Sequence, residues 1–229
     1  MSRALKGLLD GGIPVMEYGE QIAARYGNAD APMQVEWVIP DNEIHRASQI
    51  LLAHGLPISK TDPWPHFGVW EKKPFRHELS SELGICIYLI PMRIVKLGLE
   101  DTIEVFSWCS DELKIRSPIP GRYMMSLIRL LRLMKLDSSS RHRPEKDLKD
   151  FVSFAIFGKR DKGIIPAIQY SEYERGAREM RKKIIADIVV DGWDFGQVDA
   201  AELELVRNVI WDPLAVRRLF DVSQKVVDL

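Results

Sequence analysis

Two short stretches near the start of the chain hold residues whose types and spacing suit chemistry. Tyr18-Gly19-Glu20 is a polar turn built on glycine, and Gln34-Val35-Glu36 lies in an alternating run. Residues two apart on a strand face the same way, so Gln34 and Glu36 share a face. Two carboxylates at that spacing hold divalent cations between them, but an amide in one of the places supplies no anionic oxygen. A lone fixed carboxylate suits a guanidinium instead, which it meets with two parallel hydrogen bonds. Glu20 at the turn repels a triphosphate. The plain alternative is an ordinary strand with Glu36 facing solvent and Glu20 favoured at a helix N-terminus by the macrodipole.

A second set of residues is basic. In "PGRYMMSLIRLLRLMKL", Arg122, Arg129 and Arg132 fall within about 80° of one another on a helical wheel, and the run contains no acid. Arg141, His142 and Arg143 continue the charge into what reads as a polar loop, and "RGAREMRKK" adds Arg178 and its neighbours on another helix. Such a stripe reads either as a solvated amphipathic face or as a platform for nucleic-acid phosphates, with Arg122, Arg129, Arg132 and Arg178 as the contacts in the second case. Tyr170 and Glu174, four apart on one helical face, read either as an ordinary surface pair or as a phenol and carboxylate that move a proton at a bound amine. Ser107, Cys109 and Ser110 are candidate acyl acceptors, but no histidine stands near them in the sequence to activate one.

These residues need a scaffold, and the hydrophobic pattern supplies one. Alternation and β-branched content predict strands over 33–40, 85–91 and 102–108, with a short one in "GIPVMEY". Helical spacing predicts helices over 17–26 and 42–54. After Asp111 it predicts mostly helix, at about 120–136, 145–157, 170–190 and 197–209, with a short piece after Pro213. The fold class is α/β in the α+β sense: a small mixed sheet with flanking helices over 1–111, and a mostly helical half over 112–229 packed on it as one unit. The 136–147 segment reads as an exposed loop, and "SKTDPWPHFGVWEKKPF" as a Pro-aromatic loop whose Trp64 and Trp70 are expected to pack on the sheet, with a lid as the alternative.

Composition limits the functions available. With 46% hydrophobic residues and a net charge of -1, a globular protein is expected and whole-chain charge selects no polyanion. Cys86 and Cys109 sit in apolar surroundings as reduced core residues, without disulfide or metal spacing. No apolar run reaches the ~18 residues of a membrane span and no secretory h-region opens the chain, so a cytoplasmic protein is expected. No phosphate-binding glycine motif and no His/Cys metal set occurs, so neither cofactor nor metal is expected.

A strand, a glycine turn, a helix and then an acid-bearing strand is the layout of the nucleotidyltransferase superfamily. "GIPVMEYGEQIAARYG", "VEWVIPDNEIHRASQILLAHGLP", "YLIPMRIVKLGLED" and "SPIPGRYMMSLIRLLRLMK", in this order, resemble small fungal proteins with a degenerate nucleotidyltransferase-like fold. The likeness covers roughly residues 5 to 160 and extends to the fungal arginine-containing cyclodipeptide synthases, with no diagnostic motif to carry over. That resemblance implies condensation of arginyl-tRNA with a second charged tRNA to an arginine-containing diketopiperazine in secondary metabolism. An aminoacyl ester is already activated, so such an enzyme needs no ATP site. It needs a basic platform, amino-acid pockets and a proton-transfer group. In that layout the resemblance brings Glu36 and Glu20 together as an acidic pocket for the arginine side chain. Two other readings remain open: a degenerate scaffold that still binds nucleotide through Glu36 and an acid near Glu104, and a non-enzymatic module that binds RNA or protein.

Overall fold

The strands are β1 (Met16–Tyr18), β2 (Gln34–Ile39), β3 (Phe75–Ser80), β4 (Ile85–Pro91), β5 (Thr102–Ser107) and β6 (Ser110–Pro118). The helices are α1 (Ser2–Asp10), α2 (Glu20–Arg25), α3 (Ile44–Ala53), α4 (Met92–Val95), α5 (Pro120–Leu133), α6 (His142–Phe151), α7 (Glu172–Gly192) and α8 (Ala200–Trp211). This computed structural model describes residues 1–28, 32–60, 75–80, 82–136, 138–157, 172–212 and 215, and only the backbone of 172–175, 177 and 178. Trp64 and Trp70 lie outside the described residues.

One mixed six-stranded sheet runs β3-β4-β2-β1-β6-β5. β2 lies at its middle, antiparallel to β1 and parallel to β4. All six residues of β2 are buried, because helices cover both faces of the sheet. Val35, Trp37 and Ile39 point to one side, where they meet Leu5 and Leu8 of α1 and Ala47 and Leu51 of α3. Val38 points to the other, with Tyr18, Tyr88 and Ile90, against α5, α6, α7 and α8. Each large apolar side chain so buried contributes roughly 1.5–3 kcal/mol relative to exposure.

The mixed sheet and flanking helices agree with the sequence reading, and the differences have physical causes. β6 was expected to begin the helical half, but it pairs antiparallel with β5 and reaches β1 in parallel at Met16↔Arg116. Residue 111 thus falls inside a strand. Only Leu113 and Ile115 alternate against a charged background there, so the period-2 signal is weak. β3 is similarly polar, and α1 is a short helix not expected from sequence. The segment 136–147 is not a wholly exposed loop: α6 starts at His142, and Arg141 and Arg143 are buried.

Under α3, His77 joins two elements. Ser48 Oγ lies 2.9 Å from His77 Nε2, and His77 Nδ1 lies 2.7 Å from the Leu56 carbonyl oxygen. The carbonyl can only accept, so Nδ1 carries the proton and Nε2 accepts from the Ser48 hydroxyl. Burial holds the ring below the ordinary histidine value of 6.5, against the opposing Leu56 hydrogen bond. The unfolded chain therefore takes up a proton more readily. Stability from this group is fully present above pH 6.5 and falls as the pH drops toward the lowered folded value. In His77→Gln that acid-side loss should shrink, which urea midpoints measured across pH 5 to 7 would show; an unchanged slope would assign the loss to other groups.

Candidate functional site

The site is built where β2 crosses under α6. Cross-strand register places Tyr18 beside Glu36, Glu36 beside Tyr88, and Tyr88 beside Arg76, one row across four strands. Above that row α6 projects Arg143, Asp147 and Phe151, spaced i, i+4, i+8 and all buried. Arg143 Nε lies 2.6 Å from Glu36 Oε1, with the two side chains 4% and 0% exposed. Gly19 completes the roof with φ 60° and ψ −129°. A Cβ there would stand 1.6 Å from Glu36 Oε2 and 3.5 Å from Asp147 Oδ2, so both carboxylates converge on the underside of this turn. Glycine is required twice over, by the positive φ and by the acid beneath it.

The cluster holds two buried carboxylates and one guanidinium, and the electrostatics follow. Burial pushes the Asp147 carboxyl up to about 8; Arg143 opposes the shift and Glu36 adds to it. At neutral pH Asp147 is thus mainly a proton donor and Arg143 balances Glu36. Burial acts against the Arg143 guanidinium, but Glu36 and Asp147 outweigh it and hold the group above its ordinary value. Tyr123 is driven far up, first by burial and then by Asp147, so it stays a phenol. Asp147 Oδ2 and Tyr123 Oη have no hydrogen-bond partner among the described residues. Tyr18 Oη meets Ser126 Oγ at 2.9 Å, and its ring packs edge-on against Tyr123 with centroids 5.0 Å apart.

Glu20 stands beside this cluster with a backbone role. Its Oε2 accepts the Met33 and Gln34 amides at 2.8 and 3.2 Å, which ties the start of α2 to the start of β2. Its Oε1 lies 3.7 Å from Lys146 Nζ, whose side chain is half exposed, so Glu20 and Lys146 form the edge of the cluster nearest solvent. Gln21 Oε1 takes the Glu36 amide at 2.8 Å. On the opposite sheet face Glu17, fully buried, is gripped by Arg25 through both carboxylate oxygens.

Several expectations change here. Glu36 was expected to await a substrate guanidinium, yet its carboxylate already holds that of Arg143. The basic face of α5 is not open at two of its positions: Arg122 is paired with Asp101 and Asp194, and Arg129 makes a two-point bridge to Glu202 at 2.9 and 3.0 Å. Those acids come from remote segments, which is why an acidless helix looked basic. Arg132 is half-buried near the end of α5. Tyr170 lies outside the described residues, and Glu174 and Arg178 are placed on α7 by backbone alone. Ser107 Oγ and Cys109 Sγ touch each other at 3.1 Å. Among the described residues no three of His, Cys, Asp and Glu converge as a metal-binding set.

Sequence reasoning missed Asp147 and the inward role of Arg143. The signal was present in "HRPEKDLKDF", where Arg143 and Asp147 share a helical stripe with Phe151, but polarity made the stretch look like a loop. No protein-family model, curated protein or solved structure matches the chain. No helix among the described residues is long and apolar enough to cross a membrane.

Proposed function

We propose that this chain is an aminoacyl-tRNA-dependent acyltransferase, a cyclodipeptide synthase of the arginine-containing type, with the Glu36–Arg143–Asp147 cluster as its chemical centre. The observation that carries the reading is the convergence of two buried carboxylates and one guanidinium beneath the Gly19 turn. In peptide formation the amine of one aminoacyl group attacks the ester carbonyl of another. In each of two such attacks, the second made by the free amine of the dipeptidyl ester on its own carbonyl to close the ring, a C–N bond forms, a tRNA ribose oxygen leaves, and one proton passes from the amine to that oxygen. A carboxyl that titrates near neutrality suits that transfer, and Asp147 is such a group. Arg143 is bridged to Glu36 beside it. The identity of the substrates rests on the sequence resemblance, and a cytosolic location follows from charged tRNA as substrate.

The nucleotidyltransferase layout would place divalent cations at Glu36. Arg143 occupies the Glu36 carboxylate with a positive charge already, which disfavours that use. The sealed packing of Glu36, Arg143 and Asp147 favours one second reading, a structural ion cluster in a non-enzymatic RNA- or protein-binding module.

The test is expression in a host with its own charged tRNAs, followed by mass spectrometry for arginine-containing diketopiperazines. Product is expected from the natural sequence. Asp147→Asn, which keeps size and neutrality, should lower it by about 10²-fold or more while the circular dichroism spectrum and urea midpoint hold. In purified enzyme the rate should fall on the basic side of about pH 8, where Asp147 loses its proton. Absence of any diketopiperazine, or full product from Asp147→Asn, would leave the cluster a structural one.

A further inference from the structure

On α7 the side turned away from the core carries a run of apolar residues. Met180, Ile184 and Ile188 are spaced i, i+4, i+8 and are 60%, 52% and 64% exposed, while Ala186, Val189 and Val190 on the other side are buried. At 100° per residue the three exposed side chains lie within about 80°, a narrow seam of the kind that pairs two helices. Next to Met180, Glu179 accepts the indole N–H of Trp211 at 2.6 Å, and Trp211, at the end of α8, is 43% exposed. Isolated exposed apolar residues need no explanation, but three in register along a helix do.

Charge selects what covers this seam. The stretch before Ile184 carries Arg175, Arg178, Arg181, Lys182 and Lys183 against Glu172, Glu174 and Glu179, an excess of positive charge, whereas the stretch after it has Asp187 and Asp191 and no base up to Gly192. The apolar run is symmetric about Ile184, with Met180 and Ile188 four residues away on either side. Parallel pairing would set the basic halves together. Antiparallel pairing sets each basic half over the acidic end of the other and brings Lys183 of one copy near Asp187 of its mate across one flank. Asp187 is bridged to Arg207 at 3.2 Å yet its side chain is 48% exposed, so it is accessible for that second contact. We propose that the chain forms a two-fold symmetric homodimer through antiparallel packing of α7 on α7, with the axis beside Ile184.

This interface stands apart from the Glu36 cluster and does not depend on the function proposed for it. Light scattering on the full chain should give the mass of a dimer that dissociates on dilution. Ile184→Asp puts two like charges at the axis and should weaken association about a hundredfold or more without altering the thermal midpoint of the monomer. Cysteine placement reads the direction: in a Cys109→Ser background, Ile184→Cys should oxidise to a covalent dimer. Met180→Cys alone should not, but an equal mixture of Met180→Cys and Ile188→Cys should. A monomer at the highest soluble concentration would overturn the proposal. So would a dimer indifferent to Ile184→Asp, self-linking by Met180→Cys, or an Ile184→Asp variant that stays monomeric but melts early because the chain's own residues cover the seam.

Discussion

Replacing Arg143 by Met, which keeps the length of the side chain and removes its charge, is expected to destabilise the protein by about 3–5 kcal/mol. The cause is the partner left behind. Glu36 is fully buried, its Oε1 lies 2.6 Å from Arg143 Nε, and Asp147 adds a second carboxyl in the same enclosure. Taking away the one guanidinium leaves the Glu36 carboxylate without a counter-charge in a buried enclosure. Glu36→Gln combined with Arg143→Met removes both charges together and should recover much of the loss, since a buried pair is costly mainly when it is broken. Urea unfolding of the two single variants and the double variant yields the coupling energy directly. Simple additivity of the two losses would show that the ion pair does not hold α6 to the sheet.

Gly19→Ala is expected to cost about 4 kcal/mol or more, a size reserved for steric conflict or a buried unpaired group. Two terms add. The backbone at φ 60° and ψ −129° strains any L side chain, and the new methyl would fall 1.6 Å from Glu36 Oε2. They can be separated: in a Glu36→Ala background the clash disappears, and the further cost of Gly19→Ala should drop to the backbone strain of roughly 1–2 kcal/mol. An undiminished cost in that background would place the conflict elsewhere. Because the turn roofs the carboxylates, the milder Glu36→Asp, which draws the acid back from the glycine, should ease the clash in combination with Gly19→Ala.

The strands at 85–91 and 102–107 were legible from local residues, since each carries its own alternating or continuous apolar pattern and its own turn signals. Glu36 was legible as a special acid for the same reason: an ionisable residue in the middle of an apolar strand stands out. β3 and β6 were not, because their faces are partly solvated and charged residues dilute the period.

What the sequence determined by itself is the periodicity of the helices and most strands, the glycine at the turn and the acid on the strand, all properties of neighbours along the chain. Tertiary structure decided what those groups meet. Only the crossing of α6 over β2 brings Arg143, more than a hundred residues away, to Glu36, and only that enclosure raises the Asp147 carboxyl to about 8. Only the return of the chain through Asp194 and Glu202 supplies acids to Arg122 and Arg129. A charge carries no local mark of its partner. Pairing depends on which distant segment packs against it, and burial, which sets the strength of every such pair, exists only once the layers have closed.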